Sequence, residues 1–301
     1  MRLPHTTLHA QYTITSPFRM PYHAGSMLRG VLGRSLRAVA CASSSSCATT
    51  CAAPAACAYH RLFDPPPRVN SPHAARHGAS VTPPPPLIPL IPATGGQLLC
   101  AGAEMAFGLR CLGRLSAADS DLLLRALERL DERSLSGEQG RVRFLSAGFV
   151  GGRDQALDVG ESPQATGRLS LAFETPAWLE RKGQLALDLD FPQLLRAAWR
   201  RLSTVADLYG EPGPADEETF RRLDALAAQV ATLSRDLRAL RWERQSDETG
   251  ARHKMEGLIG SVEFAGPVGA FRSVLAAAQR VHLGKATSFG LGRLRATFCL
   301  E

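Results

Sequence analysis

Between residues 167 and 301 the spacing of apolar side chains alternates between two periods, and that order constrains the fold more than any other feature of the chain. Leu169, Leu171 and Phe173 alternate over 168–175, as on a half-buried strand. Leu195, Trp199, Leu202 and Ala206 fall in helical register over 191–209 behind Asp190, and a further helical run covers 215–233. A strand follows over 236–244. Leu258, Gly260, Val262 and Phe264 alternate over 257–264, Phe271, Leu275 and Ala278 mark a helix over 267–281, and Leu294, Ala296, Phe298 and Leu300 alternate over 293–300. The order is βαββαβ, the split ferredoxin-like unit.

The first half reads as a rougher copy. It has a strand over 5–15 and a helix over 26–39 with Leu28, Val31, Leu32, Leu36 and Val39 at helical spacing and Ser26 as its cap. A strand over 97–112, a helix over 116–131 carrying Leu123, Leu127 and Leu130, and a strand over 141–150 follow. From 41 to 92 periodicity collapses into Ala/Ser/Cys-rich sequence and then DPPPR and TPPPPLIPLIP, an irregular insertion that is extended where proline is dense. The prediction is an α+β protein of two ferredoxin-like (RRM-like) domains in tandem. The first covers 1–150 and holds the Cys/Pro-rich insertion 41–92, a linker covers 151–166, and the second domain covers 167–301 with a glycine-rich loop at 284–292.

That loop carries the clearest chemistry. Gly284, Gly290 and Gly292 bracket a segment that also holds Lys285 and leads to Arg293 and Arg295. Glycine tolerates φ > 0 and lets backbone amides approach a ligand, and consecutive amides form an anion-binding concavity. With the neighbouring cations, the segment reads as a clamp for a phosphate backbone. The chain's net charge of +7 suits a polyanion. Only Lys182, Lys254 and Lys285 are lysine, so a lysine inside the loop stands out from an arginine-dominated background. Arg29, Gly33 and Arg37, spaced i, i+4, i+8, give the first helix a basic stripe away from its core face, which either holds a nucleic-acid strand or merely solvates a face. Of the tryptophans, Trp199 lies on an apolar stripe and belongs to the core. Trp178 is a further aromatic able to stack on a base. Trp242, between Arg241 and Arg244, is the better candidate.

No run approaches the ~20 apolar residues of a membrane helix, and the N-terminus lacks a signal-peptide core, so a cytosolic protein without membrane partners is expected. Clustered cysteines then suggest metal before disulfide. Cys41, Cys47, Cys51 and Cys57 would supply four thiolates for a structural zinc, with an iron–sulfur cluster as the other option and catalysis assigned to neither. Cys100, Cys111 and Cys299 read as small core hydrophobes in strands, and His5, His9, His73 and His77 as surface residues.

Two ferredoxin-like halves with a basic glycine loop before the last strand resemble the RAMP superfamily of CRISPR-associated RNA-binding proteins. Within it the chain is similar to the CRISPR precursor-RNA processing endoribonucleases, in the branch with an extra cysteine segment. The likeness runs through MEGLIGSVEFAG and HLGKATSFGLGRLRATF. It also runs through GSMLRGVLGRSLRAVAC on to Tyr59-His60-Arg61-Leu62-Phe63, and through LSLAFETPAWL followed by LDFPQLLRAAWRRLSTVADLYG. The chain departs from the family's basic run before the Met-x-Gly-Leu strand, where Asp247 and Glu248 interrupt it, although Arg244, Arg252 and Lys254 keep positive charge.

The resemblance implies metal-independent cleavage of CRISPR repeat RNA (pre-crRNA), with no catalytic cofactor. The 2′-hydroxyl attacks the adjacent phosphorus and leaves a 2′,3′-cyclic phosphate. It implies a general-base histidine near the first helix, which points to His23 with Tyr22 beside it; the alternative is a solvated loop histidine. His282, at the mouth of the glycine loop, is either a catalytic or RNA-contacting group or a helix C-terminal histidine favoured by the macrodipole. Lys285 is expected to stabilise the phosphorane, and Arg29, Arg37, Trp242, Arg244, Arg293 and Arg295 to hold RNA. Implied partners are the repeat RNA, the mature guide RNA (crRNA) and other CRISPR effector subunits in a prokaryotic cytoplasm. The rival reading is a non-catalytic RAMP subunit that binds guide RNA inside an effector complex.

Overall fold

The computed structural model describes residues 1–41, 51, 56–66, 82–92, 95–132, 134–136, 139–211, 217–245 and 250–301. The chain divides into two compact units, Pro4–Gln155 and a second formed by Met1–Leu3 with Ala156–Glu301.

The first unit begins with β1 (Arg2–Ile14), the short β2 (Phe18–Arg19), α1 (Gly25–Ala40) and α2 (Ala58–Phe63). It continues with β3 (Leu87–Leu90), β4 (Leu98–Leu99), β5 (Glu104–Leu112), α3 (Ala117–Glu128), β6 (Ser134–Ser136) and β7 (Gln139–Asp158). Its main sheet has the order β3-β5-β1-β7-β6, so the first strand is central, between the third and fourth of a βαββαβ unit. Tyr12 and Ile14 of β1 pack with Leu28, Leu32 and Leu36 of α1 and Leu123 and Leu127 of α3 in one core. Each such aliphatic side chain contributes about 1.5–3 kcal/mol on burial. The Tyr12 hydroxyl donates to the Leu127 carbonyl at 2.7 Å, which satisfies the polar atom this core takes in.

The second unit contains β8 (Gly167–Ala177), a small hairpin of β9 (Glu180–Arg181) and β10 (Gln184–Leu185), α4 (Phe191–Tyr209) and α5 (Glu217–Ala227). Then come β11 (Ala231–Gln245), β12 (Arg252–Gly266), a 3₁₀ turn leading into α6 (Arg272–Val281), and β13 (Leu294–Leu300). The sheet order β11-β12-β8-β13 repeats the pattern of the first unit: two ferredoxin-like units in tandem, as expected. Asp190 caps α4 by accepting from the Gln193 amide at 2.8 Å, and Leu195, Trp199 and Leu202 are buried on its core side. Trp199 stacks on Phe220 at 5.4 Å, in agreement with its core reading.

Several local expectations give way. Ser26 does not cap α1: the helix starts at Gly25 from a cap at Ala24 that makes no side-chain bond, so Ser26 lies inside the first turn. The expected strand 97–112 is two pieces. Leu98–Leu99 pairs with Phe18–Arg19, and a turn at Gly102 (φ 87°) precedes β5. Residues 151–158, expected as linker, continue β7 past positive-φ residues at Gly151, Gly152 and Asp154. The helical run expected to reach 233 stops at Ala227, because the chain from Ala231 pairs with β12. His5 is buried at 3% exposure rather than on the surface, whereas Cys100 and Cys299 are exposed and only Cys111 is a core thiol. His73 and His77 lie outside the described residues.

Candidate functional site

The glycine loop grows from the C-terminus of α6. His282 takes φ 56° and ψ 154°, a region few residues other than glycine enter, at a cost of about 1–3 kcal/mol. Its ring is 1% exposed, and Nδ1 shares a hydrogen bond with the Leu291 carbonyl at 3.1 Å. His282 is therefore corrected from a candidate base to a brace: a ring this deep does not reach an RNA hydroxyl, but it holds the two ends of the loop together.

Four of the loop amides are not open to a phosphate. Lys285 N–H donates to the Trp178 carbonyl at 3.0 Å, Phe289 N–H to Ala286 at 2.9 Å, Gly290 N–H to Thr287 at 2.8 Å and Gly292 N–H to Pro176 at 2.9 Å. These donors face protein carbonyls, so they form no open concavity for a phosphate. The glycines have another use. At φ 89° and 75°, Gly284 and Gly292 let the chain pass where a Cβ would collide with the Trp178 and Leu283 carbonyls. Thr175 completes the lock: its hydroxyl donates to the Gly290 carbonyl and accepts from the Arg293 amide, both at 2.9 Å. Arg201 of α4 adds Nη2 to Thr287 Oγ1 at 3.0 Å and Nε to the Val281 carbonyl at 3.3 Å, and desolvation pushes its guanidinium down to about 10.

What the loop presents outward is charge. Lys285 is exposed, with Nζ 2.7 Å from Glu180 Oε2 and 5.4 Å from the centre of the Trp178 ring. Trp178 Nε1 donates to the other Glu180 oxygen at 2.7 Å. The Lys285 bond, more than the indole bond, holds the Glu180 carboxyl below its ordinary value. Arg293 and Arg295 both lean on Glu174, at 2.7 and 3.6 Å. Arg244, at the end of β11, lies 4.8 Å over the Phe289 ring, which joins the β11–β12 hairpin to the loop. Trp242 is half-buried in the same strand, opposite Met255. The sequence reading missed Thr175, Glu180 and Arg201, although LSLAFETPAWL holds the first and LDFPQLLRAAWRRLSTVADLYG the last.

In the first unit, Tyr22 and His23 form the turn before α1. Tyr22 is 66% exposed, and the two rings meet edge to face at 4.9 Å. His23 is half-buried, and desolvation lowers its pKa below the ordinary histidine value. A neutral imidazole at neutral pH, reachable from solvent, is the state a general base needs.

The basic stripe on α1 is not an open face. Arg29 Nη2 donates to the Phe63 carbonyl at 3.0 Å, with the guanidinium 4.0 Å over the Phe63 ring. Arg37 Nη2 donates to the Tyr59 hydroxyl at 3.0 Å, 4.8 Å over that ring. Gly33 lies under the Phe63 ring. Arg29 and Arg37 are thus corrected from RNA contacts to the seat of α2.

Cys47 lies outside the described residues. Cys41, Cys51 and Cys57 are half-buried thiols, and among the described residues no three His, Cys, Asp or Glu side chains gather as a metal site. No described helix is long and apolar enough to cross a membrane.

Residues 171–294 match the family model of the CRISPR-associated endoribonuclease Cas6, and residues 3–159 match that of an N-terminal domain, AF_1859_N. Comparison with curated proteins finds no match. Among solved structures the chain is similar to a partial Cas6-RT-Cas1–Cas2 complex, with TM-score 0.61 and 12% identity over 99% of this chain and 47% of that one. It is also similar to a Thermus thermophilus Cas6 (TM-score 0.57, 13% identity, 98% and 99% covered) and to a Cas6 product complex (0.55, 14%, 98% and 99%). At these identities the likeness shows the fold, and the chain spans about half the length of the first of the three. The family model assigns residues 171–294, which hold β9–α6 and the glycine loop, to the CRISPR-associated Cas6 endoribonucleases.

Proposed function

We propose that the chain cuts CRISPR precursor RNA within its repeats, without a catalytic metal, by turning the RNA's own 2′-hydroxyl into the nucleophile. The observation that carries the reading is the Cas6 model over the unit that presents Lys285 on a pre-shaped glycine loop. His23 takes the 2′-proton, the 2′-oxygen bonds to phosphorus, and the P–O5′ bond breaks. The products are a 2′,3′-cyclic phosphate and a 5′-hydroxyl, once the leaving oxygen is protonated. Lys285 offsets phosphate charge on RNA held by the second unit. Other CRISPR proteins are proposed as assembly partners, on the likeness to a Cas6-RT-Cas1–Cas2 complex.

The test is incubation of the purified protein with its own repeat RNA in EDTA. Cutting that leaves a cyclic phosphate and stops when a single 2′-hydroxyl is replaced by hydrogen is the expected result. Tight binding of intact RNA would instead support the non-catalytic subunit. Cutting lost on chelation would make the chemistry metal-dependent.

A further inference from the structure

Beside the glycine loop, the second unit holds a groove of about 660 Å³, walled by the β9–β10 hairpin, one face of α4, and Gly284 with Lys285. The α4 face is the stripe Gln193, Arg196, Ala197, Arg200, Arg201 and Thr204, opposite the buried stripe of the same helix. The charge lining the groove is lopsided: Arg181, Lys182, Arg196, Arg200, Arg201 and Lys285 against the single carboxylate of Glu180. Two of the chain's three lysines are among them. Arg196 is held bidentately by Asp224, at 2.8 and 3.0 Å, and Arg181 by Asp188 at 2.9 Å. Lys182 and Arg200 are exposed, and among the described residues neither has a carboxylate partner.

Lys182 is also in an unexpected place. The two-residue turn of the hairpin has φ 50° at Lys182 and 76° at Gly183. A turn with positive φ at both central positions favours Asn, Asp or Gly first, because a longer side chain is strained there. A lysine at that position brings a cation to the rim of the groove that asparagine or glycine would not.

We propose that this groove is a track for single-stranded RNA, with Lys182 and Arg200 on its phosphates and the Trp178 ring at its inner end, next to Lys285. The track would carry the unpaired strand that adjoins the cut, so it rests on the reading of the chain as an RNA-cutting protein. Arginine and an aromatic ring in one groove suit the alternation of phosphate and base along a single strand.

The experiment measures binding of a short oligouridylate, and separately of the repeat RNA carrying a 2′-deoxy substitution at the cut, to the intact protein and to Lys182→Asn, Arg200→Ala and the double variant. Arg221→Ala, one exposed helix charge removed elsewhere on the same unit, is the control. Lys182→Asn should keep or raise the melting temperature while weakening oligouridylate binding, an opposition that a structural role for the lysine would not give. The double variant should bind about ten-fold more weakly, with a salt slope shallower by about 1.4, the loss of two single-strand phosphate contacts. Oligouridylate binding unchanged in the double variant, or weakened no more than by Arg221→Ala, would overturn the track. So would displacement of the oligouridylate by polyglutamate more readily than by more RNA, which would assign the groove to an acidic protein segment. Oligouridylate binding reads the groove whether or not the repeat is cut, so loss of this proposal and loss of the endoribonuclease reading are told apart.

Discussion

At the scale of single residues, His23 and His282 show how burial sorts two histidines that look alike in sequence. Both stand at a helix end, beside a loop. The fold leaves one half-buried behind an exposed tyrosine and shuts the other into a loop. Desolvation lowers the His23 pKa, so the unfolded chain takes up the proton first as pH falls. The histidine's contribution to stability is then complete above the ordinary value of about 6.5 and is lost as pH drops through it. The same direction governs activity. Single-turnover cleavage should show an acid limb with its midpoint below about 6.5. His23→Ala should abolish that limb and slow cutting about 10²-fold or more. A pH–rate series on both proteins checks this, and an unchanged limb in the variant would remove His23 from the proton step. Nothing in the sequence around His282 announced its burial, because the burial comes from residues 284–292 folding back over the ring.

At the scale of elements, the periodicities were a reliable guide and the surfaces were not. Leu169, Leu171 and Phe173 belong to one face of β8, and the α4 stripe matches its predicted residues, because a two- or 3.6-residue repeat follows directly from which side is buried. Arg29, Gly33 and Arg37 show the limit. Their spacing says only that they share a face, and that face is covered by Tyr59 and Phe63 of a six-residue helix inside a segment with no period to read. The glycine position gives the test. In an open helix, replacing glycine with leucine gains up to about 1 kcal/mol in propensity. Under the Phe63 ring, Gly33→Leu should instead lose about 1–3 kcal/mol through overpacking and loosen α2. Urea unfolding with limited proteolysis near residues 58–63 measures both, and a stabilised, protease-resistant variant would show that α2 does not seat there. The glycine loop teaches a related lesson: its composition was legible, but the Lys285 and Gly292 amides find their partners at Trp178 and Pro176, over a hundred residues earlier.

At the scale of the whole molecule, the two units repeat one strand order, and the net charge of +7 overstates the positive charge free to meet RNA. Arg61, Arg196, Arg222 and Arg293 are already engaged by Asp119, Asp224, Glu161 and Glu174. The logarithm of RNA affinity should therefore fall with the logarithm of salt with a slope of about −2 to −5, a handful of phosphates at ~0.7 each rather than one per cation. A titration across salt concentrations settles the count, and a far steeper slope would mean that RNA displaces these carboxylates. The two-fold repetition was legible in the second unit and only faintly in the first, where the insertion separates the first helix from the second strand. The Thr175 hydroxyl, caught between Gly290 and Arg293, has a last consequence. A turn stitched to its neighbouring strand before any substrate arrives has little freedom left to surrender, so an incoming strand meets a finished mould, and arrival should be limited by diffusion and charge rather than by waiting for the protein to take shape.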